Sequence, residues 1–192
     1  MKVVSTILLV LIASVSYSQG VFNNTTNSAL QKVIEDYPNK FSNIKGDLLA
    51  ENIQTIDFTS KVQIPGIPCV LTQYSSTKKA IYSWRADLLE EEEFEEAKKR
   101  YKELYNQIRN TIIKIDGEKP FILNGAYQAP TEDRKFNVVN FQLLPSGRDM
   151  EKLQIELSMS YMVTAWKITL TVYEREYRDD ERITATDLQT GY

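Results

Sequence analysis

Leu153-Gln154-Ile155-Glu156-Leu157-Ser158-Met159-Ser160-Tyr161, followed by Trp166-Lys167-Ile168-Thr169-Leu170-Thr171-Val172, decides the fold. In both runs every second residue is apolar. A strand turns successive side chains to opposite faces, so this period predicts two half-buried strands joined by a short turn. Working backwards, Asn137, Val139, Phe141 and Leu143 give a third strand of the same kind, and Pro145-Ser146-Gly147-Arg148 turns the hairpin. Residues 120–134 carry a short strand at Phe121-Ile122-Leu123 and then a loop through Pro130.

The N-terminal half repeats the plan. Ile56, Phe58, Ser60, Val62 and Ile64 alternate with polar residues, and Pro65-Gly66 ends that strand. Two more strands are expected over about 68–74 and 79–86, with Ser75-Ser76-Thr77-Lys78 as the turn. On the latter, Ala80, Tyr82, Trp84 and Ala86 share a face.

Two helices break the strand runs. Leu30, Val33, Ile34 and Tyr37 fall at helical spacing, with Thr26 or Asn27 as cap and Pro38 as stop, giving a first helix over 27–37. Phe94, Ala97, Tyr101, Leu104, Tyr105, Ile108 and Ile112 trace the stripe of the second. Asp87 and Glu90 form a capping-box pattern at its start. Acidic residues come first and basic ones later, as the helix dipole favours, with Glu95–Lys99 and Glu96–Arg100 as i,i+4 pairs. Phe41 to Leu49 reads as a connection.

The order α-βββ-α-(β)βββ predicts an α+β two-layer sandwich, an antiparallel sheet with both helices packed on one face. One domain over 27–176 is expected, after a flexible lead-in at 19–26 and before a loose polar tail at 177–192.

The first residues add a compartment. Lys2, the apolar run Ile7–Ala13 and Ser16-Tyr17-Ser18 make the pattern of a secretory signal peptide over 1–18, cut between Ser18 and Gln19. The run is shorter than the roughly 20 apolar residues of a membrane span, so the chain is not expected to span a membrane. No Cys follows the run, so no lipid anchor is expected. The single cysteine, Cys69, cannot form an internal disulfide, which points to a bacterial exported protein, periplasmic or extracellular, with a buried, inert thiol. Were the source eukaryotic, Asn23 and Asn24 would lie in glycosylation sequons.

Composition removes whole classes of chemistry. There is no histidine among the 192 residues, so Ser-His-Asp and Cys-His catalysis and His-ligated zinc are excluded. No Gly-rich phosphate loop, EF-hand spacing or Ser-x-x-Lys motif occurs. Glu90–Glu96 and Asp179-Asp180-Glu181 read as solvated charge. The formal charge of −3 and the lack of a basic block speak against nucleic acid. No catalytic residue, metal ligand or cofactor is expected.

Aromatic residues carry what remains. Tyr82, Trp84 and Trp166 on strands, with Tyr101 and Tyr105 on the second helix, are the candidate ligand-binding residues. The first reading is a non-enzymatic binding or accessory domain holding a polypeptide or cell-surface polymer. The alternatives are a carrier of a lipid or small apolar ligand between sheet and second helix, and a carboxylate-dependent hydrolase. A homodimer through a sheet edge is also open.

Phe41-Ser42-Asn43-Ile44-Lys45-Gly46, Tyr101-Lys102-Glu103-Leu104-Tyr105 within the Glu-to-Lys helix, and Ala165-Trp166-Lys167-Ile168 resemble stretches of small exported bacterial proteins of uncharacterised role. The αβββα order is similar to that of type III secretion chaperones and YbjN-like proteins. That resemblance implies binding of partner polypeptides, and it is one of topology only.

Overall fold

The computed structural model describes residues 21–75, 80–115, 117–145 and 150–175. The signal-peptide pattern, the turns at 76–78 and 146–148 and the tail from 177 lie outside the described residues.

Among the described residues, nine strands form one antiparallel sheet. They are β1 (Lys45–Glu51), β2 (Thr55–Ser60), β3 (Cys69–Tyr74), β4 (Ile81–Glu91), β5 (Ile112–Ile113), β6 (Phe121–Gly125), β7 (Phe136–Leu144), β8 (Leu153–Met162) and β9 (Ala165–Glu174). Their spatial order is β1-β2-β3-β4-β9-β8-β7-β6-β5. Helix α1 (Val21–Glu35) precedes the sheet, and α2 (Phe94–Arg109) connects β4 to β5. The chain thus makes two meanders, and β4 joins β9 at the seam. This is an α+β architecture dominated by the sheet.

The alternation that defined the last strands is the alternation of burial. Leu153, Ile155, Leu157 and Met159 of β8 are buried, as are Trp166, Ile168, Leu170 and Val172 of β9. Strand pairing extends these rows across the molecule. Leu71, Trp84, Val172, Ile155, Phe141 and Gly125 are successive cross-strand partners from β3 to β6. Gly125 is there because nothing larger fits. A Cβ would lie 2.8 Å from Cδ1 of Phe141 and 2.9 Å from Cγ1 of Val139. Gly125→Ala is therefore expected to destabilise the protein by about 1–3 kcal/mol through overpacking, read as a lower denaturation midpoint. An unchanged midpoint would mean that the Phe141 ring yields freely.

Helix α2 buries Ala97, Tyr101, Leu104, Tyr105 and Ile108. The Tyr101 hydroxyl donates to the Leu157 carbonyl (3.1 Å) and that of Tyr105 to the Gly125 carbonyl (2.9 Å). Helix α1 contributes Ala29, Leu30, Val33 and Ile34 to the same core. Gln31 bridges onward, its amide donating to the Lys114 carbonyl (2.6 Å) and its oxygen accepting the Lys114 N–H (3.3 Å).

Four local expectations are corrected. First, α1 begins at Val21, so most of the expected lead-in is helical. Second, Asp87 does not cap α2; it sits in β4 opposite Thr169. β9 is ten residues long and keeps offering ladder partners as far as Glu91, past a bulge between Asp87 and Leu89. The helix starts only after Glu93. Its N-cap position is Glu93, which makes no side-chain cap hydrogen bond, while the Glu91 carboxylate accepts the N–H groups of Glu92 (2.9 Å) and Glu93 (3.2 Å) in the approach to the helix. Third, Ile112 leaves the α2 stripe for β5, where it pairs with Ile122 of β6. Fourth, part of the segment read as a connection is strand β1. It is an edge strand with two register shifts against β2, and its exposed Leu48-Leu49 pair spoils any period of two.

Candidate functional site

The segment between α1 and β1 forms one wall of a cleft. Asp36, at the end of α1, is buried at 5% exposure. One carboxylate oxygen accepts the backbone N–H groups of Asn43 (3.0 Å) and Ile44 (3.1 Å). The other accepts the side-chain amides of Asn43 (2.6 Å) and Asn39 (3.1 Å). A buried carboxylate is tolerable because its oxygens are met by donors on both sides. The Asp36 carbonyl also accepts the N–H of Phe41 (3.1 Å), and that of Tyr37 accepts the N–H of Lys40 (2.8 Å).

This clamp holds an unfavourable backbone. Lys40 and Phe41 are consecutive non-glycine residues in the left-handed region, at φ 55° and 58°. Each such residue costs about 1–2 kcal/mol. Strain of this kind persists where surrounding bonds over-determine it. Its result is to bury the Phe41 ring and to leave Lys40 exposed beside Tyr37, whose ring lies 5.9 Å from that of Phe41.

Opposite stand Tyr82 on β4 and Glu174 at the end of β9. Tyr37, Pro38, Lys40, Phe41, Tyr82 and Glu174 enclose an open cleft of about 400 Å³. Burial, and then the negative charge of Glu174, push the Tyr37 phenol up to about 12. The cleft therefore presents two half-buried phenol rings, an ammonium and a carboxylate. Such a surface suits a ligand with C–H faces and hydroxyl or amide groups.

Burial also raises Tyr101, Tyr127 and Tyr173. The sign for stability follows. A phenol held protonated in the folded state stabilises below its unfolded value near 10 and loses that contribution as pH rises through the folded value, near 12 for Tyr37. Stability is expected to fall with pH above 10, and Tyr37→Phe to reduce that slope by about one proton. Urea titrations at pH 9, 10 and 11 measure it; an unchanged slope in the variant would show that Tyr37 ionises alike in both states.

Of the five aromatic residues singled out by sequence, only Tyr82 borders the cleft. Trp84 is fully buried, its indole N–H donating to the Ser60 hydroxyl at 3.0 Å. Tyr101 and Tyr105 are core residues of α2, set against Tyr127 and, for Tyr105, Phe141. Trp166 is 3% exposed, between Phe94 (5.0 Å) and Tyr161 (5.1 Å). Large aromatic rings sit where the apolar rows need volume, and the polar tips of Trp84, Tyr101 and Tyr105 are hydrogen-bonded inside. Tyr37, Lys40, Phe41 and Glu174 escaped the sequence reading. Tyr37 fits the helical stripe that hides it, Glu174 follows a strand, and nothing in Lys-Phe signals a left-handed backbone.

Cys69 is buried, and desolvation raises its thiol pKa. Among the described residues, no group of three or more acidic or cysteine side chains is placed to hold a metal ion, and no helix is long and apolar enough to cross a membrane. The chain matches no protein-family model, and neither a curated protein nor a solved structure is significantly similar to it.

Proposed function

We propose that this protein is an exported, non-enzymatic binding or accessory domain that holds a surface polymer, a chain of sugars, in the cleft between Tyr37 and Tyr82. The observation that carries this reading is the loop from Asp36 to Ile44. A buried carboxylate with four donors holds two left-handed residues in place, and the loop so held forms one wall of an aromatic cleft with a cation and an anion on its rim. Pre-organisation of this kind lowers the entropic cost of binding. Sugar rings offer C–H faces to Tyr37 and Tyr82, and their hydroxyls suit Lys40 as donor and Glu174 as acceptor. Both helices on one face of the sheet would leave the opposite face for solvent or an assembly partner.

Three other readings have less behind them. A polypeptide added as a further strand needs a long, regular free edge. The outer strands are β1, with two register shifts, and β5, with two residues, and the same features weigh against a homodimer through an edge. A lipid carrier would use the inner face of α2, but Tyr101, Leu104, Tyr105 and Ile108 are spent on core packing. A hydrolase acting by paired carboxylates needs two acids facing one bond; one carboxylate residue, Glu174, lines the cleft.

The test is a thermal-shift and calorimetric titration with neutral oligosaccharides. A ligand at a hundred times its Kd adds about 2.7 kcal/mol to native stability. Tyr82→Ala is expected to weaken binding about tenfold or more, equivalent to roughly 1.4 kcal/mol. Lys40→Gly separates strain from structure. It relieves one left-handed residue, so stability should hold or rise by up to about 1 kcal/mol, while affinity falls. Absence of any shift across the oligosaccharides would overturn the proposal, as would full affinity in both variants.

A further inference from the structure

A second groove has a different chemistry. Thr25, Ser28, Ala29 and Lys32 of α1 form one wall, and Lys61, Val62, Gln63 and Pro65, in the turn after β2, form the other. The space between is about 450 Å³. Its floor includes the buried Ala29 and Val62, and no carboxylate is among the residues that line it.

The turn is fixed from beneath. The Ser60 hydroxyl accepts the Trp84 indole N–H (3.0 Å) and the Val62 N–H (3.1 Å). The Gln63 amide donates to the Ser60 carbonyl, and the Lys61 N–H donates to the Ile44 carbonyl at 2.7 Å. Ile64 and Ile67 close the turn with a bridge around Gly66, whose φ of 75° suits glycine. The wall bearing Lys61 is therefore tied to the core through Trp84, and the facing wall is a regular helix.

The two lysines are treated unlike several others in the protein. Lys98 pairs with Glu95 and Lys167 with Glu90. Lys45 lies over the Phe58 ring and Lys135 over those of Tyr161 and Trp166. Among the described residues, neither Lys32 nor Lys61 has an ion pair or a ring beneath it. Two lysines from separate elements thus line one groove on a chain of net charge −3. A groove lined by cations and by no carboxylate attracts an anion. Lysine acts as a compact point charge rather than a planar fork, and the groove adds the hydroxyl of Ser28 as a donor.

We propose that this groove is an anion site that takes a carboxylate, sulfate or phosphate group of a ligand, with Lys32 and Lys61 as its cationic contacts. It is independent of the cleft at Tyr82, and either site can fail without the other.

The experiment is an NMR titration of the protein at low salt with inorganic phosphate and, separately, with a soluble oligogalacturonate. Saturable shifts of the amides of Ala29, Lys61, Val62 and Gln63 are expected with at least one of them. Response to phosphate alone identifies a free ion as the source; response confined to the oligomer identifies an acidic polymer; either supports the site. Lys32→Gln/Lys61→Gln should weaken binding about tenfold or more, and for the oligomer should reduce the salt dependence of binding. Lys99→Gln/Lys102→Gln, on the exposed side of α2, removes the same charge elsewhere. Equal weakening by both pairs would overturn the proposal, as would no saturable shift with either probe. Unchanged Tyr82→Ala behaviour in the same titration separates this site from the cleft.

Discussion

Trp84→Ala is expected to lower the free energy of unfolding by about 3–5 kcal/mol, the range for removing a large aromatic from a packed core. Against a typical total of about 5–15 kcal/mol, that is a large share of the stability. The cause is position. Trp84 is fully buried, between Leu71 on β3 and Val172 on β9, so the cavity would open at the seam of the two meanders. It also loses a second function, since its indole N–H holds the Ser60 hydroxyl that shapes the turn at 61–65. Trp84→Phe keeps a buried aromatic ring and removes the donor with a smaller loss of volume, so it should cost less than the alanine variant, about 1–3 kcal/mol. Urea denaturation of both variants checks the ordering. An alanine variant as stable as the parent would mean that Trp84 is not part of the core.

Asp36→Ala should cost on the order of 3 kcal/mol. The two oxygens accept four hydrogen bonds, and removing them leaves the N–H groups of Asn43 and Ile44 facing the protein without an acceptor. Asp36→Asn is not a rescue. Backbone donors face one oxygen and side-chain donors the other, so either orientation of the new amide sets its own NH₂ against two donors. Both variants should therefore lose stability and, with the left-handed loop released, also lose binding at the Tyr82 cleft. Lys40→Gly is expected to separate the two effects. If Asp36→Asn folded as stably as the parent and bound as well, the carboxylate clamp would have no part in the cleft.

The strands were readable in the sequence for one reason. Where one face is buried and the other wet, a period of two is forced on the residues, and β7, β8 and β9 show it without interruption. The same reasoning missed β1, which is paired on one side only and exposed along most of its length, so nothing constrains its alternation. It misplaced the start of α2 because Asp87–Glu90 satisfies a helix-capping pattern locally, whereas the ladder with β9 extends β4 through Glu91. For the site, the sequence singles out five aromatic residues, of which four are packed in the core and Tyr82 borders the cleft. The cleft is made by a loop whose shape depends on a buried aspartate seven residues before Asn43, a relation that no spacing rule announces.

The seam between β4 and β9 also sets the order of events during folding. Partners such as Ser83 and Tyr173 are about 90 positions apart in the chain, and neither meander can cover its inner face until the other arrives. Long closures of this kind put the protein in the slow range of folding, milliseconds to seconds rather than microseconds. Because β9 follows every other described strand, the central pairing waits for residues 165–174, and the first four strands are held until then only by their own hairpin contacts.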